Sequence, residues 1–405
     1  MAMNGVLLLE DGVFFRGFRF GAAASQGGEV VFNTSHTGYQ EILTDPSYAG
    51  QIVTLTCPHI GNYGVNGADI ESSRVRAGGL IVRDHHPVPS NWRSNDSLAA
   101  WMKTTAIPGL CGVDTRALVL HIRERGALRG WIADTSEQCL YFAAAGAIDL
   151  PEGDAAAPSP AWAKRFHSPE LSALLGRARA VPSMAGQDLA SQVSCTAPWT
   201  AGPADAPWHV VAVDYGIKRN IVRQLVDLGC RVTVMPAASA AVEVLALQPD
   251  GVLLSNGPGD PGSVVGAVAT IRALLGRVPI FGICLGHQLL AIACGGRTFK
   301  LPFGHRGSNH PVRDLTTGRV EITAQNHGFA VDPGSLDGRV LSLTHLHLND
   351  DTVAGLSHRQ LPAFSVQFHP EASPGPHDSH HLFGRFVDAM ARHRQGRGHV
   401  NGGLS

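Results

Sequence analysis

VPIFGICLGHQLLAIACGG, residues 278–296, decides the fold class of the larger part of this chain. Val278 to Ile283 is a short apolar run of the kind buried on both faces of a sheet, and an apolar helical pattern follows at once. Cys284 falls on the turn between them with Gly282 and Gly286 on either side, so the sequence predicts a strand–turn–helix elbow. Glycines there let the backbone turn sharply without a Cβ clash. Such a turn lies at the carboxyl edge of a parallel sheet, where open α/β folds place their ligands. The first amides of the helix can donate to a developing oxyanion. This is the cysteine counterpart of the G-x-S-x-G nucleophile elbow. Most lone cysteines are inert core residues; the flanking glycines and the preceding strand favour a nucleophile at Cys284, while Cys294 has no such context.

Working outward, the neighbouring segments repeat the strand–helix alternation. HVVAVDYG from His209 reads as a buried strand, Ile217 to Gly229 as a helix, and CRVTVMP as a second strand. GVLLSNGPGDPG is a third strand ending in a glycine turn, and Val264 to Leu275 a further helix. The expectation is an α/β domain over residues 209–393, with a mostly parallel sheet covered by helices on both faces. Residues 1–151 carry short β-branched and aromatic runs broken by Gly, Asn and Pro, among them GVLLLEDGVFFRGFRFG. They read as a strand-rich α+β domain with hairpin-like turns. Residues 152–208 shift to Ala, Pro, Ser and Gly and read as a linker, with one short helix from Ser168 to Arg179. Residues 394–405 are expected to form a flexible, weakly basic tail.

Composition excludes several classes. At 405 residues the chain holds two or three domains, and 44% hydrophobic residues with a net charge of −1 exclude bulk disorder. No basic block marks a nucleic-acid binder. The run Gly5–Leu9, stopped by Glu10 and Asp11, is too short for a signal core or a membrane span. The seven cysteines are scattered with no C-x-x-C pair, which argues against a disulfide framework and suits a reducing cytoplasm. His345 and His347 stand two apart and His380 and His381 are adjacent, but neither pair has the further ligands of a catalytic zinc, so no metal is expected.

A nucleophilic thiol needs a base, and the base an orienting group. FSVQFHPEASPGPHD, residues 364–378, provides both: an apolar strand ends near His369, and Glu371 follows two residues on. At that spacing the carboxylate can reach one imidazole nitrogen while the other faces the thiol. SNGPGDPG, residues 255–262, resembles a phosphate-cradling loop without its Lys and Ser/Thr, and can instead offer the Gly257 amide to an oxyanion. TAQNHGFAVD, residues 323–332, has polar side chains and an exposed backbone suited to a small zwitterion. Read alone, each of the last two is an ordinary turn.

Taken together, NGPGDP, GICLGHQ, QNHGF and HPE, in this order, resemble class I triad-type glutamine amidotransferases. Residues 28–64 (GEVVFNTSHTGYQEILTDPSYAGQIVTLTCPHIGNYG) and 112–127 (GVDTRALVLHIRERGA) are similar to the small-subunit family of carbamoyl-phosphate synthetases. The resemblance implies that Cys284 is the nucleophile forming a γ-glutamyl thioester, His369 the base and acid, and Glu371 its orienting carboxylate. It implies an oxyanion hole at the amides of Gly257 and Leu285. It further implies that Ser47, Gly257, Gly259, Leu285, Gln288, Asn326, Gly328 and Phe329 hold L-glutamine. Nothing in the chain resembles an ATP site, so no cofactor is expected in it. ATP and magnesium would belong to a large ATP-using partner subunit that receives the ammonia. His36 departs from the family's apolar residue at that position but touches none of these roles.

Overall fold

A computed structural model of the chain describes residues 4–135, 144–149, 160, 163–264 and 266–401. The chain divides into two compact units, Met1–Met184 and Ala185–Ser405. The expected linker is therefore shared out. Pro169–Ala180 is a helix of the first unit, capped by Ser168, whose hydroxyl accepts from the Leu171 amide at 3.0 Å. Leu171, Leu174 and Leu175 of that helix are buried with Val6, Leu8 and Ile148, which is why the segment folds instead of trailing as a linker. Trp199–Ala201, by contrast, is an antiparallel edge strand of the second unit.

In the first unit, seven strands close on themselves. Gly5–Leu9 pairs with Leu128–Asp134, and the order continues through Gln26–Asn33, Gln51–Leu55, Gly79–Ile81, Pro108–Cys111 and Val13–Gly21. Val13–Gly21 then pairs back onto Gly5–Leu9, so the sheet forms a barrel without a free edge there. The turns are not all hairpins. Gln26–Asn33 and Gln51–Leu55 run parallel, because the chain between them crosses over through the helix Tyr39–Thr44 and the short turn Pro46–Tyr48. Ser47 lies on that turn, buried, its amide donating to Asp45 Oδ1 at 2.9 Å. His36 is exposed.

The second unit is built on a ten-stranded sheet. Its centre is parallel, in the order Cys230–Pro236, Trp208–Asp214, Gly251–Leu254, Ile280–Ile283 and Ala363–Val366. The alternation of side chains explains the apolar runs. Val210 and Ala212 face the helices Arg219–Asp227 and His381–Asn401, whereas Val211 and Val213 face Ala241–Ala246, Ala267–Leu274 and Leu285–Ala293. The expectation of a mostly parallel sheet needs correction. Beyond Ala363–Val366 four more strands, Val353–His358, Leu341–His347, Thr298–Asp314 and Val320–Val331, continue it antiparallel. These long, partly polar strands lack the short apolar runs by which buried parallel strands announce themselves. The final helix also passes the expected tail boundary and reaches Asn401.

Candidate active site

Cys284 stands between the strand Ile280–Ile283 and the helix Leu285–Ala293, with φ 54° and ψ −102°, a left-handed conformation that side chains rarely adopt. Its backbone is fixed on both sides. The Cys284 amide donates to the Val366 carbonyl at 2.9 Å, and its own carbonyl accepts from the Gln288 amide at 3.2 Å. The glycines of the elbow are there for space. A Cβ on Gly286 would stand 2.2 Å from the Leu254 carbonyl oxygen, so only glycine lets the helix start against the neighbouring strand. Leu285 opens the helix, and its amide has no earlier turn to bond to.

The base comes from the adjacent strand. Ala363–Val366 lies parallel to Ile280–Ile283, and past its end the His369 amide donates to the Ala324 carbonyl at 2.9 Å. His369 Nδ1 meets Glu371 Oε1 at 2.6 Å, as the two-residue spacing implied, and both side chains are buried. In this resting arrangement His369 Nε2 has no hydrogen-bond partner, and the Cys284 thiol donates to the Asn326 carbonyl at 3.6 Å. Catalytic contacts commonly tighten only when substrate binds.

Lys218, which the sequence reading passed over, completes the electrostatics. Its buried ammonium lies 3.1 Å from Glu371 Oε1 and also donates to the Ala372 carbonyl. Asp214 shapes the turn that delivers it, accepting from the amides of Gly216 and Ile217 at 2.8 and 2.7 Å. Burial alone would neutralise Glu371, yet Lys218 and His369 hold it ionised, down at about 2. Burial likewise works against a charged His369, but Glu371 and Cys284 outweigh it and raise its pKa to about 10. His369 is therefore an acid with its proton in place at neutral pH. Burial instead pushes Cys195 to about 12 and Cys230 to about 11, so those two remain inert thiols.

The other expected residues separate by unit. Gly257 and Gly259 lie on the loop after Gly251–Leu254, where a Cβ on Gly257 would stand 2.1 Å from the Tyr215 carbonyl. Gln288, on the elbow helix, donates from Nε2 to the Phe329 carbonyl at 2.7 Å and to Gln367 Oε1 at 3.0 Å. Asn326, Gly328 and Phe329 are not on a turn, as their polar context suggested, but within the strand Val320–Val331, where Asn326 and Phe329 are buried. Ser47 belongs to the first unit. Sequence reasoning also missed His287, which is fully buried and bonds Ser365 Oγ through Nδ1 at 2.9 Å. Burial holds it neutral, at about 3, so it supports the helix and carries no charge.

Residues 211–389 match the glutamine amidotransferase class-I family, and residues 7–132 the carbamoyl-phosphate synthase small chain, CPSase domain. A carbamoyl phosphate synthase small chain of Syntrophotalea carbinolica is 52% identical, over 98% of this chain and 100% of the relative. The chain belongs to the carbamoyl phosphate synthase small chain family. Another small chain, from Chlorobaculum tepidum, is 50% identical over 96% of this chain and 98% of its own. A relative from Halalkalibacterium halodurans, named a pyrimidine-specific small chain, is 49% identical over 96% and 97%. In this carbamoyl phosphate synthase small chain family member the two matched domains lie in one chain. No helix among the described residues is long and apolar enough to cross a membrane.

Proposed function

We propose that this chain is the glutaminase subunit of a carbamoyl-phosphate synthetase, working through Cys284, His369 and Glu371. The observation that carries this reading is the relay itself: a thiol on a strained elbow beside a buried histidine whose Nδ1 is held 2.6 Å from Glu371. Cys284 reacts as the thiolate paired with protonated His369: its sulfur adds to the side-chain carbonyl carbon of L-glutamine, and the resulting oxyanion is met by the amides of Gly257 and Leu285. Collapse breaks the C–N bond. His369 gives its proton to the departing nitrogen, which leaves as ammonia, and a γ-glutamyl thioester remains. His369 then takes a proton from the water that attacks the thioester, and collapse of that intermediate breaks the C–S bond, releasing glutamate and restoring the Cys284 thiolate beside protonated His369. Glu371 keeps the imidazole oriented throughout, and Lys218 keeps Glu371 ionised.

Gly259, Gln288, Asn326, Gly328 and Phe329 are the proposed glutamine contacts of the second unit, Gln288 with its amide nitrogen already committed and its carbonyl oxygen left for the substrate's ammonium. The chain needs no cofactor for this chemistry. Phosphorylation of bicarbonate is assigned to a large partner subunit carrying ATP and magnesium, with carbamoyl phosphate serving arginine and pyrimidine synthesis. A cytoplasmic location suits the six described cysteines, all free.

The test is the complex with its large subunit, assayed with each nitrogen donor. Cys284→Ser or Cys284→Ala abolishes glutamine-dependent synthesis and leaves ammonia-dependent synthesis intact. Loss of both activities in a folded complex would sink this division of labour.

A further inference from the structure

A cavity of about 350 Å³ lies at the opposite end of the strand Ala363–Val366 from the relay. The Cys284 amide bonds the carbonyl of Val366, the last residue of that strand, whereas Ala363 and Phe364, its first two, line the cavity. Ser357 pairs directly with Phe364 across the neighbouring strand Val353–His358, so the two side chains share a face. The third wall is the final helix, which contributes Arg385, Arg392 and His393. The glutaminase chemistry uses none of these residues.

Helical spacing brings the two arginines together. Arg385 and Arg392 lie two turns apart on one helix face, and Ala389 between them leaves room above its small side chain. The Arg385 guanidinium sits 4.5 Å from the centroid of the Phe364 ring, which itself stacks on Phe281 at 4.5 Å. Among the described residues neither Arg385 nor Arg392 has a hydrogen bond or an ion pair, although Arg385 is half-buried. Arg394, on the same helix, differs: it meets Asp250 Oδ1 at 2.7 Å and the Pro207 carbonyl at 2.8 Å. No carboxylate lines the cavity. Asp314 is the acid whose field reaches Arg385, but its own oxygens are bonded to Thr316 and Thr317 at 2.6 to 2.8 Å. Burial lowers the pKa of Arg385, Asp314 offsets part of that, and the like charge of Arg392 adds to it. The cavity therefore holds positive charge with no anion bonded to it, the condition that an anionic ligand relieves.

We propose that this cavity binds a small-molecule phosphate monoester with a compact apolar organic group. Arg385 and Arg392 hold the phosphate, and the organic group lies against Phe364, Leu361 and Pro362. The guanidinium fork matches phosphate oxygens bidentately. A phosphate ester carries a charge of about −1.5 to −2 near neutral pH, enough to engage both arginines, where a carboxylate matches one. The Ser357 hydroxyl faces the same space and can donate to a remaining oxygen. His393 closes one side, its ring fixed by donation from Nε2 to the Arg277 carbonyl at 3.1 Å. The volume lies within the roughly 300–1,000 Å³ of small-ligand pockets, toward the lower end, which is why the organic group must be compact.

The test is isothermal titration calorimetry of the full chain without any ATP-using partner, so that phosphate binding is read from this chain. Phenyl phosphate is the probe, with inorganic phosphate and benzoate as the anions that lack one half of its chemistry. Phenyl phosphate should bind once per chain and more tightly than either. Arg392→Gln, on the exposed side of the helix, should weaken it about 10–100-fold with the fold intact by circular dichroism. Arg385→Lys keeps the charge but loses the fork, and should weaken it as well. No binding of phenyl phosphate to the parent chain, or equal affinity in the parent and in either variant, would overturn the proposal. So would inorganic phosphate or benzoate binding as tightly as phenyl phosphate.

Discussion

At the residue scale, the relay makes a pH signature. His369 is held at about 10 against a usual 6.5, so its contribution to stability is complete below 6.5 and is lost as pH rises toward 10. Glu371 is held at about 2 against 4.5, so its contribution is complete above 4.5 and is lost as pH falls toward 2. Glu371→Gln removes the charge on which both depend. Denaturant melts across pH should show the gap between parent and Glu371→Gln widest between 4.5 and 6.5, narrowing toward acid and alkali. A gap that does not change with pH would mean that the two groups are not coupled. Gly257 offers a second residue-scale test. An added Cβ would meet the Tyr215 carbonyl at 2.1 Å, so Gly257→Ala must displace the loop that carries the proposed oxyanion donor. Losing one such donor costs about 10²–10³ in turnover, and steady-state glutaminase assays should show a loss of that order with KM less affected.

At the element scale, Ser168 caps the helix Pro169–Ala180, and Ser168→Ala should cost about 1 kcal/mol in the denaturant-induced unfolding of the first unit. How much was legible in the sequence follows the same local logic. Elements written by a short-range pattern were readable: the apolar strands before Asp214 and Cys284, the Ser168 cap, the elbow, and the His369–Glu371 spacing. Elements created by distant pairing were not. Asn326 and Phe329 looked like turn residues because the partners of their backbone, the strand opposite, Cys284 and Gln288, are all distant in sequence. The link from Gln26–Asn33 to Gln51–Leu55 looked like a hairpin because a parallel pairing leaves no mark in the intervening residues. Lys218 was missed because a lone lysine after an apolar strand is ordinarily a solvated one. Only the fold shows that it faces the carboxylate of Glu371, far downstream in the sequence.

At the scale of the whole molecule, each unit has its own apolar cores: one pair around Val31 and Leu80 and around Val6 and Leu171, another on the two faces of the ten-stranded sheet. The two family matches likewise fall one in each unit. Two separately cored units should not melt as one two-state system. Calorimetry of the chain alone should give a calorimetric enthalpy above the van't Hoff value. Residues 185–405 expressed alone should keep an α/β circular dichroism spectrum, whereas equality of the two enthalpies would show that the units unfold together.

The backbone of Cys284 has a further consequence for protein engineering. A residue forced into a left-handed φ of 54° carries a strain that glycine does not feel. Cys284→Gly should therefore give a chain with no glutaminase activity that nevertheless melts at a higher temperature than its parent. The nucleophile is then a place where evolution has exchanged robustness for reactivity. The inert, sturdier variant would be a good form of the protein for crystallising a complex with intact L-glutamine.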